Sequence, residues 1–167
     1  VNIKPHCDDG ERVLYALDLV TAMKRRWGWR FVDELCWYRK GISGKMPNRF
    51  PNGFEPVYHF SISDSIKFFS GSVEKEAAIS TTKRYDFAKR KGEGFIKSGT
   101  GSGLDIDRGR AARSFDGKVM PFNVLEISHE TSNQAQAAAF PVALPDFFIR
   151  GYSDLGDVWL DTFAGSG

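Results

Sequence analysis

The chain has 167 residues, 41% of them hydrophobic and 14% aromatic, which is enough to build the core of one domain. No apolar run approaches the length of a membrane span, and two cysteines are too few for a disulfide framework, so the sequence predicts a cytoplasmic protein without a membrane partner. The formal net charge of +2 does not by itself indicate a nucleic-acid partner, so the distribution of charge along the chain has to be considered.

The beginning of the chain is predicted to contain a strand followed by a helix. Residues 1–3 have the apolar alternation of a strand. Asp8 and Glu11 have the spacing of a capping box, and apolar residues recur at helical spacing over residues 13–23. Gly28 is placed to end this amphipathic helix, because glycine tolerates the left-handed conformation.

Two strands and a basic insertion are predicted next. Residues 30–38 offer apolar side chains to both faces, as in a central strand of an α/β sheet, and residues 55–62 form another strand pattern. The amino-acid composition changes over residues 63–118. Ten basic residues stand against five acidic ones over residues 83–118, interleaved with aromatic residues and glycines. This pattern predicts an insertion with weak internal structure, outside the packed core.

The last part of the chain is predicted to complete the sheet. Residues 124–127 form a short strand pattern and residues 137–150 a helix pattern. Residues 156–161 predict a buried strand, which leads into a turn with Gly165 and Gly167. Glycines without a Cβ let backbone N–H groups approach a polar ligand closely. The predicted order is strand, helix, strand, strand, insertion, strand, helix and strand, which is a partial α/β three-layer arrangement.

Four stretches carry patterns that occur together in one enzyme family. They are residues 28–40, 52–58, 137–144 and 156–167. The third contains a Phe-Pro pair, and the fourth runs from Gly-Asp through an acidic residue to Ala-Gly-Ser-Gly. Taken together, they resemble the β-group of amino-directed DNA methyltransferases, in which the cofactor-binding half follows a target-recognition insertion. The resemblance covers nearly the whole chain apart from the insertion.

The resemblance implies a fold and an activity. Enzymes of this group transfer a methyl group from S-adenosylmethionine to N6 of adenine or N4 of cytosine in double-stranded DNA. The fold would be α/β, with a partial Rossmann-like methyltransferase sheet and a peripheral target-recognition insertion. Residues 1–62 would belong to the catalytic half, residues 63–119 would form the insertion, and residues 120–167 would begin the cofactor-binding half.

The resemblance also implies two sets of site residues. The residues expected to bind S-adenosylmethionine are Phe140, Pro141, Asp161, Phe163, Ala164, Gly165, Ser166 and Gly167. The residues expected to contact DNA, mainly through phosphates, are Lys40, Lys45, Arg49, Lys83, Arg84, Lys89, Arg90, Lys91, Arg108, Arg110 and Arg113. No metal ligands are predicted, because the three histidines are scattered without ligand spacing.

The chain departs from the family pattern in three places. Gln136 stands where the family has a histidine, and Thr162 where it has a proline. The Pro-Pro-aromatic tetrapeptide that holds the flipped target base in the family does not occur among the 167 residues. We therefore expect an incomplete chain that holds no catalytic residue and is inactive alone. Exposed strand edges in such a piece would favour self-association.

Two other functions fit parts of the sequence. A non-catalytic DNA-binding module on the same scaffold would keep the basic insertion and lose the chemistry. A nucleotide-binding α/β domain would use the turn at residues 165–167 to hold phosphates. Binding of S-adenosylmethionine against ATP distinguishes this third hypothesis from the first.

Overall fold

The structure is a computed structural model that describes residues 1–39, 48–91, 114–128 and 141–162, with the side chains of Ala88, Arg90 and Lys91 left out. The chain divides into two compact units. The first unit comprises Val1–Val73 and Pro121–Gly167, and the second comprises Glu74–Met120. Each unit is described by itself below.

The described elements mix strands and helices, which confirms the α/β class. In chain order they are β1 (Cys7–Asp8), β2 (Glu11–Arg12), α1 (Tyr15–Arg25), β3 (Arg30–Tyr38), β4 (Phe54–Ser61), a 3-10 turn (Ser70–Ser72), β5 (Lys75–Glu76), α2 (Ile79–Lys91), β6 (Lys118–Val119), β7 (Val124–Glu126) and α3 (Ala143–Tyr152). Within the described ranges, no helix is long and apolar enough to cross a membrane.

A three-stranded sheet organises the first unit. Its order is β4-β3-β7, with β3 antiparallel to β4 and parallel to β7. The predictions of strands at 30–38, 55–62 and 124–127, and of a central position for the first of them, are therefore confirmed. Trp37 on β3 lies opposite Glu55 on β4 and opposite Leu125 on β7, so it lies at the middle of the sheet.

The core lies on one face of this sheet. It is formed by Leu35, Trp37, Val57, Leu125 and Leu144, the last of which comes from α3. The prediction that β3 buries apolar side chains on both faces is wrong at its beginning, where Phe31 and Val32 remain 41% and 38% exposed. The first five side chains of β3 are all exposed, and burial begins at Leu35, where the strand joins the core cluster with Leu144 of α3.

The predicted capping box is wrong, because its residues form a β-hairpin instead. Strands β1 and β2 pair Asp8 with Glu11 across a two-residue turn of Asp9 and Gly10. Both turn residues have positive φ, 44° and 82°, as a type I′ hairpin turn requires, and Asp-Gly is a favoured pair there. Helix α1 begins only at Tyr15 and has no side-chain cap. Gly28, just beyond its end, has the expected positive φ of 72°.

Helix α3 is shorter than predicted at its beginning. It starts at Ala143, so Pro145 lies in its first turn, where a missing N–H breaks no helical hydrogen bond. Residues 137–140 lie outside the described residues. The buried strand predicted at residues 156–161 is also wrong: these residues form no strand, and Val158 and Leu160 are 94% and 83% exposed. A strand needs a neighbour with which to share hydrogen bonds, and the described residues offer none here.

The second unit has more internal structure than the composition predicts. Strands β5 and β6 pair antiparallel, and the N–H of Ala77 donates to the carbonyl of Gly117 at 2.8 Å. The ring of Tyr85 on α2 stacks on Phe115, with centroids 4.2 Å apart and planes 12° from parallel. These contacts join the two ends of the unit, although residues 92–113 lie outside the described part of the chain.

Candidate ligand-binding cleft

A cleft of about 660 Å³ opens beside the sheet of the first unit. Its walls come from β4, from α3 and from the segment that follows α3. The lining residues are Val1, Asn2, Val57, Tyr58, His59, Phe60, Leu144, Pro145, Phe148, Ile149, Tyr152, Trp159, Leu160 and Asp161. The volume and the mostly apolar lining are those of a small-molecule site in proteins.

Helix α3 supplies one wall through a single helical face. Leu144, Phe148 and Tyr152 follow one another at intervals of four residues, which places them on one side of the helix. Leu144 packs in the core, and the rings of Phe148 and Tyr152 continue the same helix face along the cleft. The aromatic wall is thus a direct extension of the contact that holds α3 on the sheet.

The opposite wall contains His59, on β4. Its imidazole meets the edge of the Tyr152 ring, with centroids 4.6 Å apart and planes at 63°. Its Nδ1 atom is buried and has no hydrogen-bond partner among the described residues. Burial lowers the pKa of His59, as does the positive amino group of Val1, while Asp33 opposes the shift. The imidazole is therefore neutral at physiological pH.

The two tyrosines of the cleft are also uncharged at physiological pH. Burial raises the pKa of both Tyr58 and Tyr152, and the carboxylates of Glu34 and Asp33 respectively raise it further. Asp161 is the acidic side chain among the described lining residues. The cleft therefore combines apolar and aromatic walls with one acidic side chain.

A buried ion pair joins the ends of β3 and β4 in the same unit. The Arg39 guanidinium lies 2.9 Å from the carboxylate of Glu55, and these side chains are 18% and 9% exposed. The guanidinium also lies 5.9 Å from the centre of the Trp37 ring, whose Nε1 donates to the carbonyl of Ile127. This cluster brings together two of the sequence stretches described above, residues 28–40 and 52–58.

A strap, residues 67–73, attaches to α3 and to the segment after it. The Lys67 ammonium contacts both carboxylate oxygens of Asp157, at 2.8 and 2.9 Å. The N–H of Phe69 donates to the carbonyl of Gly151, and Arg150 Nη1 donates to the carbonyl of Ser72. The strap thereby holds the segment that leads from α3 to the cleft residues Trp159 to Asp161.

Comparison with known proteins places the chain in a family. A family model described as DNA methylase, of the N6 and N4 type, matches residues 2–167. This chain belongs to that family. It also matches the type II methyltransferase M.PvuII of Proteus hauseri, with 36% identity over 77 residues. The match covers 39% of this chain and 22% of that relative's length.

Membership of the DNA methylase family confirms the resemblance inferred from the four sequence stretches. In the structure, the third stretch reaches the cleft through Leu144, and the fourth reaches it through Trp159, Leu160 and Asp161. The first two stretches meet at the ion pair between Arg39 and Glu55.

The structure describes two of the residues expected to bind the cofactor. Asp161 lines the cleft. Pro141 is buried just before α3, where its carbonyl accepts a hydrogen bond from the N–H of Leu144 at 2.9 Å, but it is not part of the lining. The other expected residues, Phe140, Phe163, Ala164, Gly165, Ser166 and Gly167, lie outside the described residues.

Sequence reasoning missed three cleft residues. His59 lacks metal-ligand spacing, Trp159 is not among the residues expected to bind the cofactor, and Tyr152 lies beyond the end of the helix predicted at residues 137–150. The spacing of four residues between Leu144, Phe148 and Tyr152 could have predicted the aromatic wall, because residues at this spacing lie on one face of a helix.

The residues expected to contact DNA fall in both units. Arg49 in the first unit donates from Nη1 to the side-chain oxygen of Asn52 at 3.2 Å. Lys83, Arg84 and Lys89 lie on α2 in the second unit with exposed side chains, and the Arg84 guanidinium lies 5.8 Å from the Tyr85 ring. The structure does not describe the side chains of Arg90 and Lys91. The remaining expected DNA contacts also lie outside the described residues: Lys40, Lys45, Arg108, Arg110 and Arg113. In the part of the chain that the structure describes, no cluster of His, Cys, Asp and Glu could hold a metal ion.

Proposed function

We propose that this chain is part of a DNA methyltransferase that moves a methyl group from S-adenosylmethionine to N6 of adenine or N4 of cytosine in duplex DNA. The observation that carries the proposal is the cleft between β4 and α3. Its lining includes Leu144 and residues 159–161, which belong to two of the sequence stretches that mark the family, residues 137–144 and 156–167. The sheet β4-β3-β7 then belongs to the Rossmann-like methyltransferase sheet of the intact enzyme.

The chemistry of the cleft fits S-adenosylmethionine. Aromatic rings at Phe148, Tyr152 and Trp159 offer stacking partners for an adenine and favourable faces for a sulfonium cation. The carboxylate of Asp161 accepts hydrogen bonds from hydroxyl or amino groups. When bound, the cofactor supplies the activated methyl group. The residues of this chain hold it in place and exclude water from it.

The second unit supplies the DNA contact in this proposal. It overlaps residues 74–119 of the target-recognition insertion proposed at residues 63–119, between a catalytic half at 1–62 and the start of a cofactor half at 120–167. The side chains of Lys83, Arg84 and Lys89 on α2 are exposed, as phosphate contacts require. We assign no catalytic residue, because no Pro-Pro-aromatic sequence occurs among the 167 residues. We expect no methyl transfer by this chain alone.

Ligand binding followed by NMR tests the cofactor proposal. S-adenosylmethionine should shift the resonances of His59, Tyr152 and Asp161. Replacing Trp159, which is half-exposed in the cleft, by Ala should weaken binding about tenfold through the lost aromatic contact. The matched control is Trp27→Ala, since Trp27 is similarly exposed and lies outside the cleft.

The alternatives give different results in the same experiment. Preferential binding of ATP would contradict the methyltransferase proposal and favour the nucleotide-binding domain. Duplex DNA binding without any response to S-adenosylmethionine would favour the non-catalytic DNA-binding module.

A further inference from the structure

His59 is a titratable group in the cleft to which the proposed function gives no role. It lines the cleft from β4, and the edge contact with Tyr152 at 4.6 Å fixes the plane of its ring. Tyr152 is itself braced by Phe68, 5.2 Å away, and by Phe148, 6.5 Å away. The imidazole is therefore held in one orientation by a group of aromatic rings.

The two ring nitrogens of His59 are in different environments. Nδ1 is sealed from solvent and has no hydrogen-bond partner in the described residues. With Nδ1 sealed, Nε2 is the ring nitrogen left to meet a ligand in the cleft. A proton on Nε2 leaves Nδ1 as a bare acceptor, whereas a second proton on the ring would place an unpaired donor in an apolar site.

The charged and titratable groups around His59 come from five segments. They are Asp33, its register partner on β3, Tyr152 on α3, Tyr58 beside it on β4, the amino group of Val1, and Asp161 in the cleft lining. Asp33 favours the protonated ring, and the Val1 amino group and burial oppose it. The tyrosines are neutral at the pH values at which histidine titrates.

We propose that His59 sets the charge preference of the cleft: its neutral imidazole admits the sulfonium cation of the methyl donor, and its protonation favours the uncharged thioether that remains after transfer. The physical reason is Coulomb repulsion between an imidazolium and a sulfonium held in the same cleft. This inference rests on the proposed function, because it requires S-adenosylmethionine in the cleft.

The test compares S-adenosylmethionine with S-adenosylhomocysteine from about pH 5 to about pH 8, the range in which histidine titrates. The two ligands share the adenosine and the amino-acid end, so the ratio of their affinities isolates the sulfonium charge. In the unmodified protein, the preference for the donor should fall about tenfold as His59 is protonated. In His59→Gln, which keeps hydrogen-bonding capacity but does not titrate, the ratio should not change with pH.

A second measurement needs no variant. The pKa of His59, followed by NMR in the unmodified protein, should be lower with the sulfonium bound than with the thioether bound, by thermodynamic linkage. Equal pKa values in the two complexes, or the same pH-dependent ratio in His59→Gln, would overturn the inference. If both ligands bind with a ratio independent of pH, the role of His59 fails and the proposed function stands. If neither binds at any pH, both fail.

Discussion

Glu55 places a carboxylate inside the sheet, and its partner Arg39 comes from the neighbouring strand end. A buried charge is costly unless it is paired, and the Trp37 ring beside the guanidinium excludes water from one side of the pair. This contact adds to the strand pairing that already joins the ends of β3 and β4. It therefore holds the place where two family stretches meet.

Removing one partner of this pair should destabilise the protein. We expect Glu55→Ala to reduce the free energy of unfolding by about 3 kcal/mol, because Arg39 is left without its counter-charge. Urea unfolding measures this loss. The control is Asp146→Asn, which breaks the exposed pair between Arg150 and Asp146, with side chains 53% and 50% exposed. That change should cost about 0.5 kcal/mol. Equal losses for the two variants would contradict the buried pair.

The Lys67–Asp157 contact predicts a pH dependence. The Lys67 ammonium, and then the N–H of Asp154, hold the pKa of the Asp157 carboxyl below its ordinary value. Because the folded-state pKa is lowered, this carboxylate stabilises the fold above its unfolded pKa. The contribution is lost as pH falls through the folded value.

An NMR titration of Asp157 in Lys67→Met tests this contact. The variant should raise the pKa of Asp157 towards its ordinary value, since the main hydrogen-bond donor is gone. Lys75→Met, on β5 in the second unit, is the control and should leave it unchanged. A pKa that is insensitive to Lys67 would show that the strap is not held at this point in solution.

At the scale of elements, α3 links the core to the cleft. Leu144 is 4% exposed and packs in the core cluster, while Phe148 and Tyr152 continue the same helix face into the cleft. Loss of the Leu144 contact would therefore loosen the aromatic wall as well as the core.

We expect Leu144→Ala to cost about 2–5 kcal/mol of unfolding free energy, the usual range for truncating a buried leucine. Leu155→Ala, at a fully exposed position three residues beyond α3, should change it by less than about 0.5 kcal/mol. Thermal or urea unfolding of the two variants compares them directly. A small loss for Leu144→Ala would mean that α3 does not dock on the sheet in solution.

At the scale of the whole molecule, formal charge is nearly balanced and function depends on where the charges lie. Replacing Lys83, Arg84 and Lys89 on α2 by Ala should weaken duplex binding and lower its dependence on salt. Each lost phosphate contact should reduce the slope of log K against log salt by about 0.9. Fluorescence anisotropy of a labelled duplex across a salt series measures both quantities.

The control removes the same charge from the first unit. Lys24, Arg25 and Arg26 lie near the end of α1 with exposed side chains, so their triple replacement by Ala matches the change in net charge. If the two triple variants show the same slope, binding depends on overall charge and the proposed role of α2 is wrong.

The sequence by itself determined the family and the strands that form the sheet. Residues 30–38 and 55–62 are recognisable because short runs rich in apolar side chains are a local property of the sequence. The family stretches are recognisable because their chemistry requires fixed residue types at fixed spacing. The site residues implied by the resemblance all remain predictions, including Asp161, which lines the cleft.

Tertiary structure decided what depends on contacts between distant parts of the chain. The Asp9-Gly10 turn formed a hairpin in place of a helix cap, because pairing between β1 and β2 competes with capping for the same residues. Residues 156–161 did not form a strand, since a strand depends on a neighbour as much as on its own sequence. The contact of His59 with Tyr152 joins β4 to α3, and no local pattern contains both. The cleft therefore became visible only when the helix was placed against the sheet.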